Sequence, residues 1–330
     1  MATTGGITQH GKIAISHPWV SRHYDSRLLN QDHDSLLEHI TTTDQAVYGD
    51  PSNPISFRIG NGGAGYTGLL QHLCEAYINE TSGDFRIGWV ANHSRHSQIA
   101  LLADVVQVAL TYERANEDVS IAEGWARRVC RVFNDHFILV GPKAIDTSFS
   151  SISAALRSIA RSHKQESLNS VAHGNPIRFH SRGDGSATFA KEQELWKAAG
   201  VDESRSDWIE TWPLVPYQAL VKAEEDQAFL LTDRSTFLTA KKEGVIPNLK
   251  CWVEGGSALL NPCSVMVGSF ELDGVERSSG RRNAVEFAKW LGGKAAQEIV
   301  RKYGRKWELG KPLFTTGDQE EFDVEDRLDA

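Results

Sequence analysis

The chain has 330 residues, 40% apolar and 24% charged, a soluble composition long enough for two packed lobes. Its net charge of −8 gives no basic field for nucleic acid or an anionic membrane, so an anionic ligand would need a local pocket. No apolar run nears the ~20 residues of a spanning helix. The first thirty residues carry His, Ser, Gly, Arg and Asp instead of an apolar signal core, which predicts a cytoplasmic protein without membrane insertion.

Residues 1–54 are polar and broken by Pro51 and Pro54, the pattern of an N-terminal arm that is available for dimerisation. Ile55–Ile59 reads as a short strand, followed by the loop Gly60–Gly65. The next helix, near 67–79, puts Leu69, Leu70, Leu73, Cys74 and Tyr77 on one stripe. A strand at 85–91 leads to the polar turn His93-Ser94-Arg95-His96-Ser97 and another helix, then to the strand Val105–Thr111. This alternation predicts an α/β fold with a parallel sheet. Cys74, Cys130, Cys251 and Cys263 are widely spaced, with no metal or disulfide framework. His93 and His96 sit three apart without an evident third ligand, so no metal or cofactor is expected.

The apolar run 136–141 ends at Gly141-Pro142, and Ile152, Ala155, Leu156, Ile159 and Ala160 mark the following helix. A strand over Ile177–His180 delivers the chain to Ser181-Arg182-Gly183-Asp184-Gly185-Ser186-Ala187-Thr188, at the mouth of a helix running through Phe189, Leu195, Trp196 and Ala199. One guanidinium, three hydroxyls and unpaired backbone N–H groups there suit an anion; an ordinary helix cap at Asp184 or Ser186 is the alternative. A helix near 214–225, a strand Ala228–Thr232, the turn Asp233–Thr236, a strand Ser264–Gly268 and helices at 281–291 and 294–303 follow. Residues 318–330 are acidic and read as disordered. Trp89, Trp208 and Trp212 are core candidates, with cleft lining as the other use.

Five blocks carry a family likeness: Asn134–Pro142, Ser181–Thr188 running into Glu194–Gly200, Thr232–Thr236, Asn261–Val265 and Gly310–Phe314. In this order they resemble the tungstate-binding solute-binding proteins of bacterial ABC importers, relatives of the molybdate binders. The resemblance spans roughly residues 55–315. It implies a two-lobed type II periplasmic-binding fold, with lobe 1 at 55–135 plus 265–317, lobe 2 at 140–260, and hinge strands at 136–141 and 264–268. It further implies a tungstate- or molybdate-like oxyanion bound in the interlobe cleft without catalysis. Arg182 and Thr188 match the family's oxyanion contacts. Ser186, Thr67 and the loop residues Asn61, Gly62, Gly63, Ser94 and Arg95 complete the expected ligand set, with Arg234 either a second cation there or the structural partner of Asp233 or another carboxylate.

Two loops depart from the family. A Thr-Thr-Thr-Ser type run is replaced by Gly60-Asn61-Gly62-Gly63-Ala64-Gly65, and a Gly-Thr-Gly-Lys type turn by His93–His96. Backbone N–H groups and an amide thus stand where hydroxyls are usual, and a phosphate ester or carboxylate fits such loops as well. An enzyme acting on a small anionic substrate is the second reading. Gly60-x-Gly62-x-x-Gly65 also matches a dinucleotide fingerprint, but Asn92 stands where the ribose-binding acid belongs. A turn that merely lets strand and helix approach closely is the plain alternative.

Overall fold

The computed structural model describes residues 40–145, 148–168, 177–183, 186–201, 208–269 and 279–329. In chain order the elements begin β1 (Ala46–Tyr48), β2 (Ile55–Asn61), α1 (Gly63–Tyr66), α2 (Leu69–Thr81), β3 (Arg86–Ala91), α3 (Ser94–Leu102), β4 (Val108–Thr111) and α4 (Arg114–Ala122). Then come β5 (Ala126–Pro142), α5 (Ile152–Leu168), β6 (Phe179–Ser181), α6 (Ala187–Ala199), β7 (Ile209–Thr211), α7 (Pro216–Asp226), β8 (Phe229–Asp233) and α8 (Arg234–Lys242). The last are β9 (Leu249–Val253), β10 (Leu260–Gly268), α9 (Ser279–Leu291), α10 (Lys294–Lys302) and β11 (Thr315–Thr316).

The chain divides into two compact units. Unit 1 takes the described residues through Phe133, with those of Pro262–Lys302 and with Thr316–Asp318; unit 2 takes Asn134–Asn261, Tyr303–Thr315 and the chain from Gln319. Strands β5 and β10 each run from one unit into the other, changing units at Phe133/Asn134 and Asn261/Pro262.

In unit 1 the strand order is β1-β3-β2-β4-β10, with β3, β2 and β4 parallel and β1 and β10 antiparallel to their neighbours. Helix α2 buries Leu69, Leu70, Leu73, Cys74 and Tyr77 on the face its periodicity predicts. Gly68 precedes it at φ 84°, a left-handed turn that suits glycine. Val90, Ile99, Leu101, Leu102, Val106, Trp125 and Met266 share one core. In unit 2, β7, β6 and β8 run parallel, β5 lies antiparallel to β8, and β9 pairs with β5. Its core joins Phe137, Leu139, Leu156, Ile159, Phe179, Trp196, Phe229 and Trp252.

Three expectations change. Only part of residues 1–54 lies within the described chain, and there β1 pairs Ala46–Tyr48 with β3, so this part is sheet, not a separate arm. Residues 303–315 pack in unit 2, not in lobe 1. The acidic tail is ordered against unit 2. Arg305 holds both carboxylate oxygens of Asp326 at 2.8 and 2.5 Å, and Asp329 accepts from the Glu254 N–H at 3.0 Å, so the tail's charges find partners. Of the three tryptophans singled out, Trp89 and Trp208 are buried, whereas Trp212 is 37% exposed.

Candidate functional site

In unit 2 the parallel strands β7, β6 and β8 end together at Thr211, Ser181 and Asp233. Arg182 follows β6 and is 4% exposed. Its Nε donates to the Leu214 carbonyl at 2.9 Å, and its guanidinium lies 3.4 Å from the Thr188 hydroxyl. Arg182 and Thr188, six apart in sequence, thus share one place at the head of α6. Gly183 makes that possible: at φ 55° it turns the chain sharply, and a Cβ would stand 2.3 Å from the Thr211 side chain. Ser186 caps α6, its hydroxyl accepting from the Phe189 N–H at 3.3 Å. Asp184 and Gly185 lie outside the described residues.

Arg234 takes the second of its two expected roles, as the partner of a carboxylate. It is fully buried and ion-pairs with Glu254. It donates to the Pro312 carbonyl at 3.1 Å and the Asp326 carbonyl at 2.7 Å, and stacks 3.8 Å from the Phe322 ring centre. These partners make it a clamp for the C-terminal tail. Beside it, the Ser235 hydroxyl lies 2.6 Å from Asp135 and 2.8 Å from Asp233. Burial, then the Asp233 charge, pushes the Asp135 carboxyl well above its ordinary range. A protonated Asp135 would let Ser235 donate to Asp233 while accepting from Asp135. Burial, then Arg234, holds His136 down to about 3, so its ring is neutral and meets the Thr315 hydroxyl at 3.1 Å. Asp135, His136 and Glu254 were absent from the expected ligand set; their partners lie up to 179 residues away, beyond the reach of a local pattern.

In unit 1 the carboxyl ends of β2, β3 and β4 also meet. Asn61 is fully buried and spends its side chain on backbone: Nδ2 donates to the Leu110 carbonyl at 3.2 Å and Oδ1 accepts from the Gly65 N–H at 3.0 Å. The Ser94 hydroxyl accepts from the Tyr112 N–H at 3.1 Å, and the Thr67 hydroxyl donates to the Ala64 carbonyl at 3.1 Å. Gly62 and Gly63 open the short helix α1, while Arg95 stands on the first turn of α3, where its charge reaches Glu113. Helix starts of this kind point backbone N–H groups outward.

The remaining glycines serve packing. A Cβ on Gly65 would lie 2.1 Å from the Trp89 ring, and one on Gly60 would lie 3.1 Å from the Ser97 Cβ. The Asn92 amide at the end of β3 is tied to the Thr41 backbone through two bonds of 2.9 Å. The fingerprint reading of Gly60–Gly65 therefore lacks its acid, and its glycines have steric work. His93 and His96 hold their rings 6.2 Å apart, with no third metal ligand grouped with them among the described residues. Among those residues no helix is long and apolar enough to cross a membrane.

A family model described as a PBP superfamily domain matches residues 43–292. The tungstate-binding protein TupA of Peptoclostridium acidaminophilum is 26% identical over 254 residues, 76% of this chain and 81% of the relative. A periplasmic protein of known crystal structure is 28% identical with a TM-score of 0.69, covering 83% of this chain and 100% of the other. The tungstate ABC transporter structure from Geobacter sulfurreducens, 24% identical, has a TM-score of 0.61 over 77% of this chain and 100% of that one. The periplasmic relative overturns the cytoplasmic location expected from the sequence. That expectation rested on the first thirty residues, which lie outside the described chain.

Proposed function

The chain belongs to the PBP superfamily domain family, with the two-lobed type II fold, and from that premise we propose that it binds a small tetrahedral oxyanion, tungstate or molybdate, without transforming it. The pairing of Arg182 with Thr188 carries this reading. A buried guanidinium supplies permanent charge and directional donors, and the adjacent hydroxyl adds a neutral one, a combination that replaces the water shell of a dianion. Ser186 joins the set as a hydroxyl side chain at the head of α6, where it caps the helix. The TupA relative, a tungstate-binding protein by name, supports the choice of anion.

The backbone N–H groups of Gly62, Gly63, Ser94 and Arg95 are a second donor set, held at helix starts in unit 1. Asn61 and Thr67 shape that loop through their bonds to backbone, and Arg234 clamps the tail. Three of the four cysteines are poor nucleophiles: burial raises the thiols of Cys74 and Cys251 well above their ordinary value and that of Cys130 to about 11. Binding without turnover accords with the relatives' names.

Thermal unfolding with tungstate, molybdate, sulfate, phosphate, small carboxylates and NAD tests this. A ligand at ~100 times its Kd stabilises the folded state by about 2.7 kcal/mol. Stabilisation by tungstate or molybdate that is lost in Arg182→Ala is the expected result. Stabilisation by NAD alone, oxyanion binding indifferent to Arg182→Ala, or turnover of any ligand in the panel would overturn the reading.

A further inference from the structure

A second polar cluster in unit 2 belongs neither to the sheet bonding nor to the proposed anion contacts. His180 of β6 and Glu210 of β7 are register partners on parallel strands, so their side chains leave the same face. Asp226, the last residue of α7, comes to the same place. His180 Nε2 is 3.3 Å from Asp226 Oδ2 and 3.8 Å from Glu210 Oε2, and one ligand atom from each of the three lies within 4.8 Å of the others.

His180 is the independent sign of a ligand. It is 2% exposed, and neither ring nitrogen has a hydrogen-bond partner among the described residues. A buried imidazole with no hydrogen bond is costly unless something else takes its lone pair. Two carboxylate oxygens beside Nε2 specify a cation for that role. Ligands about 2.0–2.1 Å from a tetrahedral Zn2+ stand about 3.3–3.4 Å apart, close to the spacing between His180 and Asp226.

Basic neighbours shape the cluster. Arg178 Nε lies 3.7 Å from Glu210 Oε1, which leaves Oε2 as the oxygen nearer His180. Lys222 Nζ stands 3.0 Å from Asp226 Oδ2 and 3.1 Å from Oδ1, so it competes with any bound cation. Lys222 also lies 5.0 Å from the Trp212 ring centre, which gives a displaced ammonium a second partner. The geometry points to a binding site for a divalent transition-metal ion formed by His180, Glu210 and Asp226, with a fourth position for water. An imidazole with two carboxylates suits Zn2+ or Co2+.

The test uses the full chain without a polyhistidine tag, stripped with chelator and titrated calorimetrically with Zn2+. One Zn2+ per chain is expected, and Co2+ in its place should give the visible absorption of a four-coordinate ion. Glu210→Gln, a half-exposed substitution, and Asp226→Asn should each weaken Zn2+ by about tenfold or more. Lys222→Met should tighten it by removing the competing ammonium. Absence of stoichiometric Zn2+ uptake by the unsubstituted chain would overturn the proposal. So would affinity that both carboxamide substitutions leave unchanged, because the ion would then sit elsewhere. Arg182→Ala should leave Zn2+ affinity intact, which separates this site from the anion reading.

Discussion

Units 1 and 2 both gather the carboxyl ends of three parallel strands, yet they finish those ends with different chemistry. In unit 1 the side chains of Asn61, Asn92 and Ser94 bond to backbone and tie the loops together. What remains for a ligand there is dipoles. In unit 2 the strand end carries Arg182, whose charge is permanent, with Thr188 beside it. Below lies a buried ionic layer, Arg234 with Glu254, tied to residues 312 and 326. The contrast separates two tasks: fixing donors through loop geometry, and offsetting an anion's charge with one cation.

The largest effect should come from breaking the ionic layer of unit 2. Glu254→Ala leaves Arg234 buried without its carboxylate and should cost about 3–5 kcal/mol in urea unfolding. Next is Arg182→Ala, which should lose about 1.5–3 kcal/mol of oxyanion affinity by calorimetry, the worth of a charge-assisted hydrogen bond. A comparable binding loss from Asn61→Ala with stability unchanged would erase the proposed difference between the units. Gly65→Ala in unit 1 drives a methyl into the Trp89 ring, which is pinned by its 2.7 Å bond to the Asn61 carbonyl. It should cost about 1–3 kcal/mol of stability, followed by tryptophan fluorescence.

The most gradual effect is in pH, small over each pH unit, and belongs to unit 2. His136 titrates near 3 in the folded chain and near 6.5 when unfolded, so its contribution is full above pH 6.5 and is lost as pH falls toward 3. That amounts to about 1 kcal/mol over the first pH unit below 6.5. Asp135 has the opposite sign: its folded value is raised, so its contribution is full below about pH 3.9 and is lost as pH rises through the folded value. Denaturation curves of His136→Gln should lose the acid-side slope, and those of Asp135→Asn the opposing one. Coincident slopes in all three chains would show that neither group is linked to folding.

Much of the local architecture is legible in the residue pattern. The stripe Leu69–Tyr77 forms α2 on the expected face, and the stretch around Ile152–Ala160 lies within α5. The run 136–141 is the end of β5, but that strand begins ten residues earlier, where polar and apolar side chains mix and the run is masked. Residue chemistry marks Ser181–Thr188 as an anion site, but the pairing of Arg182 with Thr188 as oxyanion contacts comes from family resemblance, since a spacing of six identifies no pair by itself. The glycine loop was only half legible, because steric contact with Trp89, from another strand, decides what Gly65 is for.

Sequence alone determined the alternation of strands and helices, the apolar faces, and the motif that places a cation at a helix start. These follow from repeats of two and 3.6 residues and from side-chain chemistry, which act over a few neighbours. The fold alone decided that Arg234 serves the tail, that the acidic C-terminal segment is ordered, and that His180, Glu210 and Asp226 converge. Those outcomes depend on partners 16 to 92 residues apart, as Glu210 is from Asp226 and Arg234 from Asp326. Their meeting is set by strand register and burial, and burial makes each pairing matter because an unpaired charge there has no water to answer it.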